Sequence, residues 1–332
     1  MRKSLILAVL AVTAPVLSAC GEDGPSITVY NAQHEQLLEE VVPIFEEQTG
    51  IEVKLRSGSD LELANQLVQE GDASPADVFL TENSPAMSLV DNAGLFAPID
   101  QETLDLIPAQ FVPSDQTWIG FLGRSTVAIY NTDQITAEEL PESLLDFADP
   151  EWAGRISYSP TGADFQAIVS AILELEGEDA TRTWLEGLAA NGTVYDGNDV
   201  VLESVDSGEV EVGIAYHYYW YRDQVEAGEN SDSSALHFFG NQDPGAFVSV
   251  SGAGVLASSD KQEDAQAFVS FLAGAEGQQA IADSYALEYP LNPEVTLEPP
   301  VKPFSELQPP QIDVSTLNSE TVIELMQDAG LL

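Results

Sequence analysis

Basic residues are scarce in this sequence. Ten Lys and Arg stand against 56 Asp and Glu in 332 residues, a formal net charge of −46. A nucleic-acid binder needs a basic face to displace counterions from phosphates, and an anionic membrane surface asks the same. Ten scattered bases supply neither. Cysteine is scarcer: Cys20 is the only one, which excludes intramolecular disulfides and thiolate clusters of the zinc-ribbon or iron–sulfur kind. Histidine occurs at His34, His217 and His237 only, too few for a two-metal hydrolytic centre. No G-x-S-x-G nucleophile elbow occurs. Gly252-Ala253-Gly254 mimics part of a dinucleotide fingerprint but lies inside a strand pattern, not at a strand-to-helix turn. No apolar run reaches the roughly 20 residues that cross a bilayer. The abundant acids are spread along the whole chain, so they read as a hydrated surface suited to concentrated salt. A cation site has to be argued from particular residues.

Arg2 and Lys3 open the chain, an apolar run follows from Leu5 to Leu17, and Leu17-Ser18-Ala19-Cys20 resembles a bacterial lipobox. Residues 1–19 are therefore expected to be an export signal, Cys20 the lipidated residue and 20–26 a tether. The expected location is the outer face of the cell membrane or the periplasm, with membrane contact through the lipid alone.

Beyond the tether, strands and helices alternate. ITVY (27–30), EVKLR (52–56) and DVFL (77–80) read as strands separated by amphipathic helices over 34–49 and 61–70, each stopped by glycine (Gly50, Gly71). A short helix is expected over 84–92. Further strands are expected at 118–121, 126–130, 155–158, 193–195, 210–216, 247–250 and 254–257. Helices are expected near 164–176, 180–190, 199–207, 217–227, 263–272, 277–284 and 319–329. Seven prolines between Pro290 and Pro310 suggest a strap over the surface. This order predicts an α/β fold of two lobes, each with a mixed, mainly parallel sheet, joined by two hinge strands near 118–130 and 245–257. The expected division is 27–123 plus 251–300 for the N-terminal lobe and 124–250 plus 301–332 for the C-terminal lobe. A ligand would sit between the lobes, at the carboxyl ends of strands.

Three strand ends carry distinctive residues. ITVY runs into Asn31-Ala32-Gln33-His34, DVFL into Thr81-Glu82-Asn83, and VEVGIAY into His217-Tyr218-Tyr219. His34, Glu82, Tyr218 and Tyr219 together form a hard, oxygen-rich donor set with one imidazole, which suits ferric ion better than zinc or calcium. Each residue also has an ordinary reading: a helix-start histidine, a glutamate beside a helix dipole, and aromatics in a core or a solute-stacking surface. An organic or anionic solute, such as thiamine, a polyamine or a phosphonate, therefore stays open as the alternative ligand.

From ITVYNAQHE through PADVFLTEN, GRSTVAIYN, YSPTGADF, GEVEVGIAYHYYWYR and QDPGAFVSVSGAGVL to EYPLNPEV, the chain resembles the bacterial ferric-iron-binding periplasmic proteins that serve ABC transporters. The resemblance implies a non-enzymatic, monomeric receptor. It would pass Fe3+ to a membrane permease driven by an ATPase, with His34, Glu82, Tyr218 and Tyr219 as iron ligands. It further implies that a water and a synergistic anion, carbonate or phosphate, complete the shell. Thr161, Gly162 and Ala163 at a helix start, together with Asn83, Arg124 and Asn198, match the family's anion contacts. Two departures stand out: Tyr216, a possible extra ligand, replaces an asparagine of phosphate-binding members, and Asp164 adds negative charge beside the loop.

Overall fold

The computed structural model describes residues 24–297 and 301–332. The expected export signal, Cys20 and most of the tether lie outside them. Among the described residues no helix is long and apolar enough to cross a membrane.

Strand β1 (Ser26–Asn31) leads to helix α1 (Glu35–Thr49), which buries Leu37, Leu38, Val41, Val42 and Phe45 and ends where Gly50 takes the left-handed conformation. Strand β2 (Glu52–Ser57), helix α2 (Asp60–Glu70), strand β3 (Val78–Leu80) and helix α3 (Ser84–Asn92) follow. β1 pairs in parallel with both β2 and β3, as strand–helix–strand connections demand. After the short α4 (Gln101–Leu104) comes β4, Trp118–Asn131, the longest strand.

The second half contributes β5 (Ile156–Tyr158), α5 (Ala163–Glu176), α6 (Glu178–Asn191), β6 (Thr193–Val194), α7 (Asn198–Asp206), β7 (Val212–Tyr216), α8 (His217–Glu226) and β8 (Ser234–His237). Here β5 pairs in parallel with β6 and β7. The chain then returns through β9 (Val248–Val255), α9 (Gln262–Ala273), α10 (Ala275–Ala282), β10 (Tyr289–Pro290) and α11 (Ser319–Asp328). The sheet order is β2-β1-β3-β9-β4-β7-β5-β6, with β8 and β10 also pairing β4.

The two long strands tie the halves together. β4 runs antiparallel to β9 from Trp118 to Ser125, then pairs with β7 from Thr126 to Tyr130. Reading 118–121 and 126–130 as two strands misses this continuity, as does dividing 247–250 from 254–257. Polar residues crowd the strand middles, where Arg124, Ser125, Thr126, Ser249 and Ser251 are all buried, and the apolar alternation lapses around them. Two separate apolar cores flank that line. One is built from β1–β3, α1–α3, β9 and α9; the other surrounds β5, α5, α6, β7 and α11. Beyond the proline-rich segment, Val314 joins the first core, and Val322, Leu325 and Met326 of α11 join the second. Strands 234–237 and 289–290, which carry little periodic signal, are additions to the pattern expected from sequence.

Candidate metal centre

The carboxyl ends of β1, β3, β5 and β7 open on the same space, and each delivers a side chain by local hydrogen bonding. Past β1, Asn31 folds the chain back: its Nδ2 donates to the Gln33 carbonyl at 2.9 Å and its Oδ1 accepts from the Gln33 N–H at 3.1 Å. Gln33 then accepts the His34 N–H through Oε1 at 2.7 Å and donates from Nε2 to Ser251 Oγ on β9 at 2.8 Å. Past β3, the Asp60 carboxyl at the start of α2 accepts the N–H groups of Glu82 (2.8 Å) and Asn83 (2.9 Å). Burial pushes the Asp60 pKa up to about 7, and those two N–H bonds limit the rise. The Glu82 carbonyl accepts from Arg124 Nη1.

At the β7–α8 junction, His217 faces inward. Its Nδ1 accepts the Ser125 N–H at 3.2 Å and its ring stacks on Tyr289 at 4.5 Å. That fixes the helix start so that Tyr218 and Tyr219, stacked on each other at 4.2 Å, turn toward the cleft. Arg222, one turn later, covers the other side of Tyr218 at 4.2 Å.

Four expected donors thereby meet. His34 Nε2 lies 3.3 Å from Glu82 Oε1, Tyr218 Oη lies 3.5 Å from the same Oε1, and both phenols reach Asp164 Oδ2, Tyr218 at 3.4 Å and Tyr219 at 3.1 Å. The His34 side chain is 27% exposed at its rim, but Nε2 itself is buried and makes no hydrogen bond. Burial, helped by Arg124 and Arg222, lowers its pKa to about 3. The imidazole is therefore neutral near pH 7, and its buried nitrogen faces a carboxyl oxygen. Glu82 is pushed well above the usual carboxyl range by burial and then by Asp164, against the pull of Arg124. Tyr218 and Tyr219 are raised well above 10 by burial and by Asp164. Such a cluster holds protons tightly in the absence of a cation and offers converging oxygen donors to one. Among the described residues no three His, Cys, Asp or Glu side chains form a metal cluster; the set reaches four protein donors only through its phenols.

The anion contacts expected from sequence are arranged differently from one another. Thr161, Gly162 and Ala163 at the start of α5, with Asn198, line a cavity of about 200 Å³ next to Tyr219 and Glu82. Asn83 donates to Asp164 Oδ1 at 3.1 Å, as Asn198 does to Oδ2 at 3.0 Å. Arg124 is turned elsewhere. It reaches Gln33 Oε1 at 3.2 Å and forms a fully buried ion pair with Glu288 at 2.8 Å. Burial works against its charge, but Glu288 and Glu82 more than offset this and raise its pKa. Tyr216 is spent inside the protein, its hydroxyl lying 3.3 Å from Asn83 Oδ1 and 3.2 Å from the Asp164 carbonyl oxygen.

Asp60, Glu288 and Arg222 escaped the sequence reading. Arg222 could have been found from its i, i+4 spacing to Tyr218. A buried Arg124 demands a counter-charge, but nothing in the sequence marks Glu288 among 56 acids. A separate cavity of about 270 Å³, lined by Phe111, Leu291 and Phe304 under the strap, is apolar and away from the strand ends.

The architecture has known counterparts. Residues 73–311 match the family model described as bacterial extracellular solute-binding protein. The chain is 52% identical to the Fe(3+)-binding periplasmic protein of Serratia marcescens, over 92% of this chain and 90% of that one. It is 38% identical to the major ferric iron-binding protein of Neisseria meningitidis serogroup B, over 100% and 98%. The crystal structure of iron-bound HitA from Pseudomonas aeruginosa superposes with a TM-score of 0.86 at 41% identity, covering 92% of this chain and all of that one. Two lobes on shared hinge strands, donors converging at the strand ends and similarity along nearly the whole chain make this protein a member of the bacterial extracellular solute-binding protein family.

Proposed function

We propose that this protein is an extracytoplasmic receptor that captures Fe3+ in the interlobe cleft and delivers it to an ABC permease. It catalyses no reaction. His34 Nε2, a Glu82 oxygen and the phenolate oxygens of Tyr218 and Tyr219 are the proposed ligands. The observation that carries this reading is the buried, unbonded His34 Nε2 at 3.3 Å from Glu82 Oε1, with the two phenols completing the same cluster. A trivalent ion suits carboxylate and phenolate donors and displaces phenol protons that burial otherwise retains. The remaining octahedral positions fall to water and to an anionic oxygen donor. Carbonate and phosphate are the candidates from solution, entering by Thr161–Ala163.

In this account the lobes are 27–123 plus 251–300 and 124–250 plus 301–332. His34 and Glu82 belong to one lobe and the tyrosines to the other, so iron stabilises the closed form because only there do all donors reach it. A lipid on Cys20 keeps the monomeric receptor near a permease powered by an ATPase, which replaces free diffusion with high local concentration. A stacking site for an organic solute fits less well, since the two faces of Tyr218 are taken by Tyr219 and Arg222.

Tyr218→Phe and Tyr219→Phe test the assignment. Each is expected to weaken ferric binding by about 100-fold or more, about 2.7 kcal/mol, while circular dichroism and Tm stay near wild type. Unchanged ferric affinity in either variant would sink it.

A further inference from the structure

A closed ring of hydrogen bonds lies behind His34 and Glu82. Gln33, only 3% exposed, donates from Nε2 to Ser251 Oγ at 2.8 Å. Ser251 Oγ donates in turn to the Glu82 carbonyl at 3.3 Å. Arg124 Nη1 donates to the same carbonyl, and its Nη2 donates to Gln33 Oε1 at 3.2 Å, which closes the ring. That Oε1 also accepts the His34 N–H at 2.7 Å. Every member is used in one sense only. A flipped Gln33 amide would set its NH2 group against the Arg124 guanidinium and the His34 N–H, so the amide has one orientation. The ring joins the turn after β1 and the turn after β3 to both hinge strands, to β4 at Arg124 and to β9 at Ser251. Those strands are paired at this point, Leu122 with Ser251 and Arg124 with Ser249. Asn31 grips the Gln33 backbone and Asp60 the Glu82 N–H, so neither turn is free to drift away from the ring.

We propose, on the ferric reading given above, that Gln33 is the positioning residue of the His34–Glu82 pair. It touches no metal itself. By accepting the His34 N–H and closing the ring to the Glu82 carbonyl, it sets Nε2 against Oε1 at 3.3 Å before iron arrives. The pair is thereby tied to β4 and β9 and moves with them as one unit.

The test combines two readouts on the purified protein. One is the lifetime of the phenolate-to-iron charge-transfer band under an EDTA challenge; the other is amide hydrogen exchange of the iron-free protein by NMR. Gln33→Met keeps the length of the side chain and removes its acceptor and donor. It is expected to shorten the ferric lifetime by about 10- to 100-fold. Without iron it should speed exchange of the His34 amide by about 10-fold or more, while the Glu82 amide, held by Asp60, stays near wild type. In a His34→Ala background, which retains both phenols, the same change is expected to cost less than about 3-fold in lifetime. Gln33→Glu restores an acceptor and is expected to recover most of the lifetime and the His34 amide protection. If the methionine variant folds poorly by circular dichroism, Ser251→Ala breaks the ring from the β9 side and makes the same comparison. A methionine variant with wild-type lifetime overturns the proposal and leaves the ferric reading standing. An equal loss with and without His34 overturns it likewise, since Gln33 would then act on the fold as a whole. No band in wild type removes the ferric reading, and this proposal with it.

Discussion

A phenol buried beside carboxyl groups keeps its proton, and the proposed iron site is built from that reluctance. Tyr218 and Tyr219 are raised by burial and then by Asp164, and Glu82 by the same two causes. Protons and iron compete for these oxygens, so acidification favours the protonated, iron-free form. His34, held down to about 3 by burial, adds no competing proton between about pH 5 and 8. Ferric affinity at fixed free iron is therefore expected to rise with pH across that range. The two phenol protons alone make the rise about 100-fold per unit, and Glu82 adds to it wherever it is still protonated. Equilibrium competition against a chelator of known pH dependence measures the slope, and a flat profile would contradict phenolate ligation. At this scale the sequence was informative because His34, Glu82 and the tyrosine pair each lie within four residues of the end of an apolar strand pattern. Asp60 and Glu288 were not legible, since an acid acting through a backbone N–H or a distant arginine leaves no local pattern.

Strands β4 and β9 set the geometry between the elements, and their polar middles explain why they read as four strands. Arg124 sits where β4 passes from one half of the sheet to the other. Glu288, just before β10, holds it at 2.8 Å and also reaches Arg222 on α8 at 3.3 Å. One carboxyl thus joins the hinge strand, the tyrosine helix and the returning chain. Glu288→Gln leaves the buried guanidinium without its counter-charge and is expected to cost about 3–5 kcal/mol in urea denaturation. A loss below about 1 kcal/mol would show that Glu82 and water compensate, and would remove Glu288 as the organiser of this junction. The helices were legible at nearly their observed lengths because α1, α2 and α7 bury one clean apolar face. Strands β8 and β10 were hidden because pairing with β4, and no periodicity of their own, makes them strands.

At the scale of the whole molecule, a net charge of −46 makes the compact state repel itself, and salt screens that repulsion over about 10 Å at 0.1 M. The unfolded chain is more expanded and gains less from screening. Thermal stability is therefore expected to rise from low salt to about 1 M NaCl, by about 2–4 °C for each kcal/mol gained. Differential scanning calorimetry at constant pH reads this, and a Tm that falls or stays level would show that the acids are already balanced locally. Two-lobed organisation was legible because strand–helix alternation leaves few other architectures; the split of the C-terminal segment between the two cores, Val314 in one and α11 in the other, was not, since the stretch before α11 carries no periodicity. The account centres on one ferric ion held by tyrosinate between the lobes, and the most direct test is an absorption titration of the purified protein with ferric iron. A visible tyrosinate-to-iron band that saturates at one iron per chain is the predicted result. Iron that stays in solution or on its chelator, with no such band at saturation, would contradict the account.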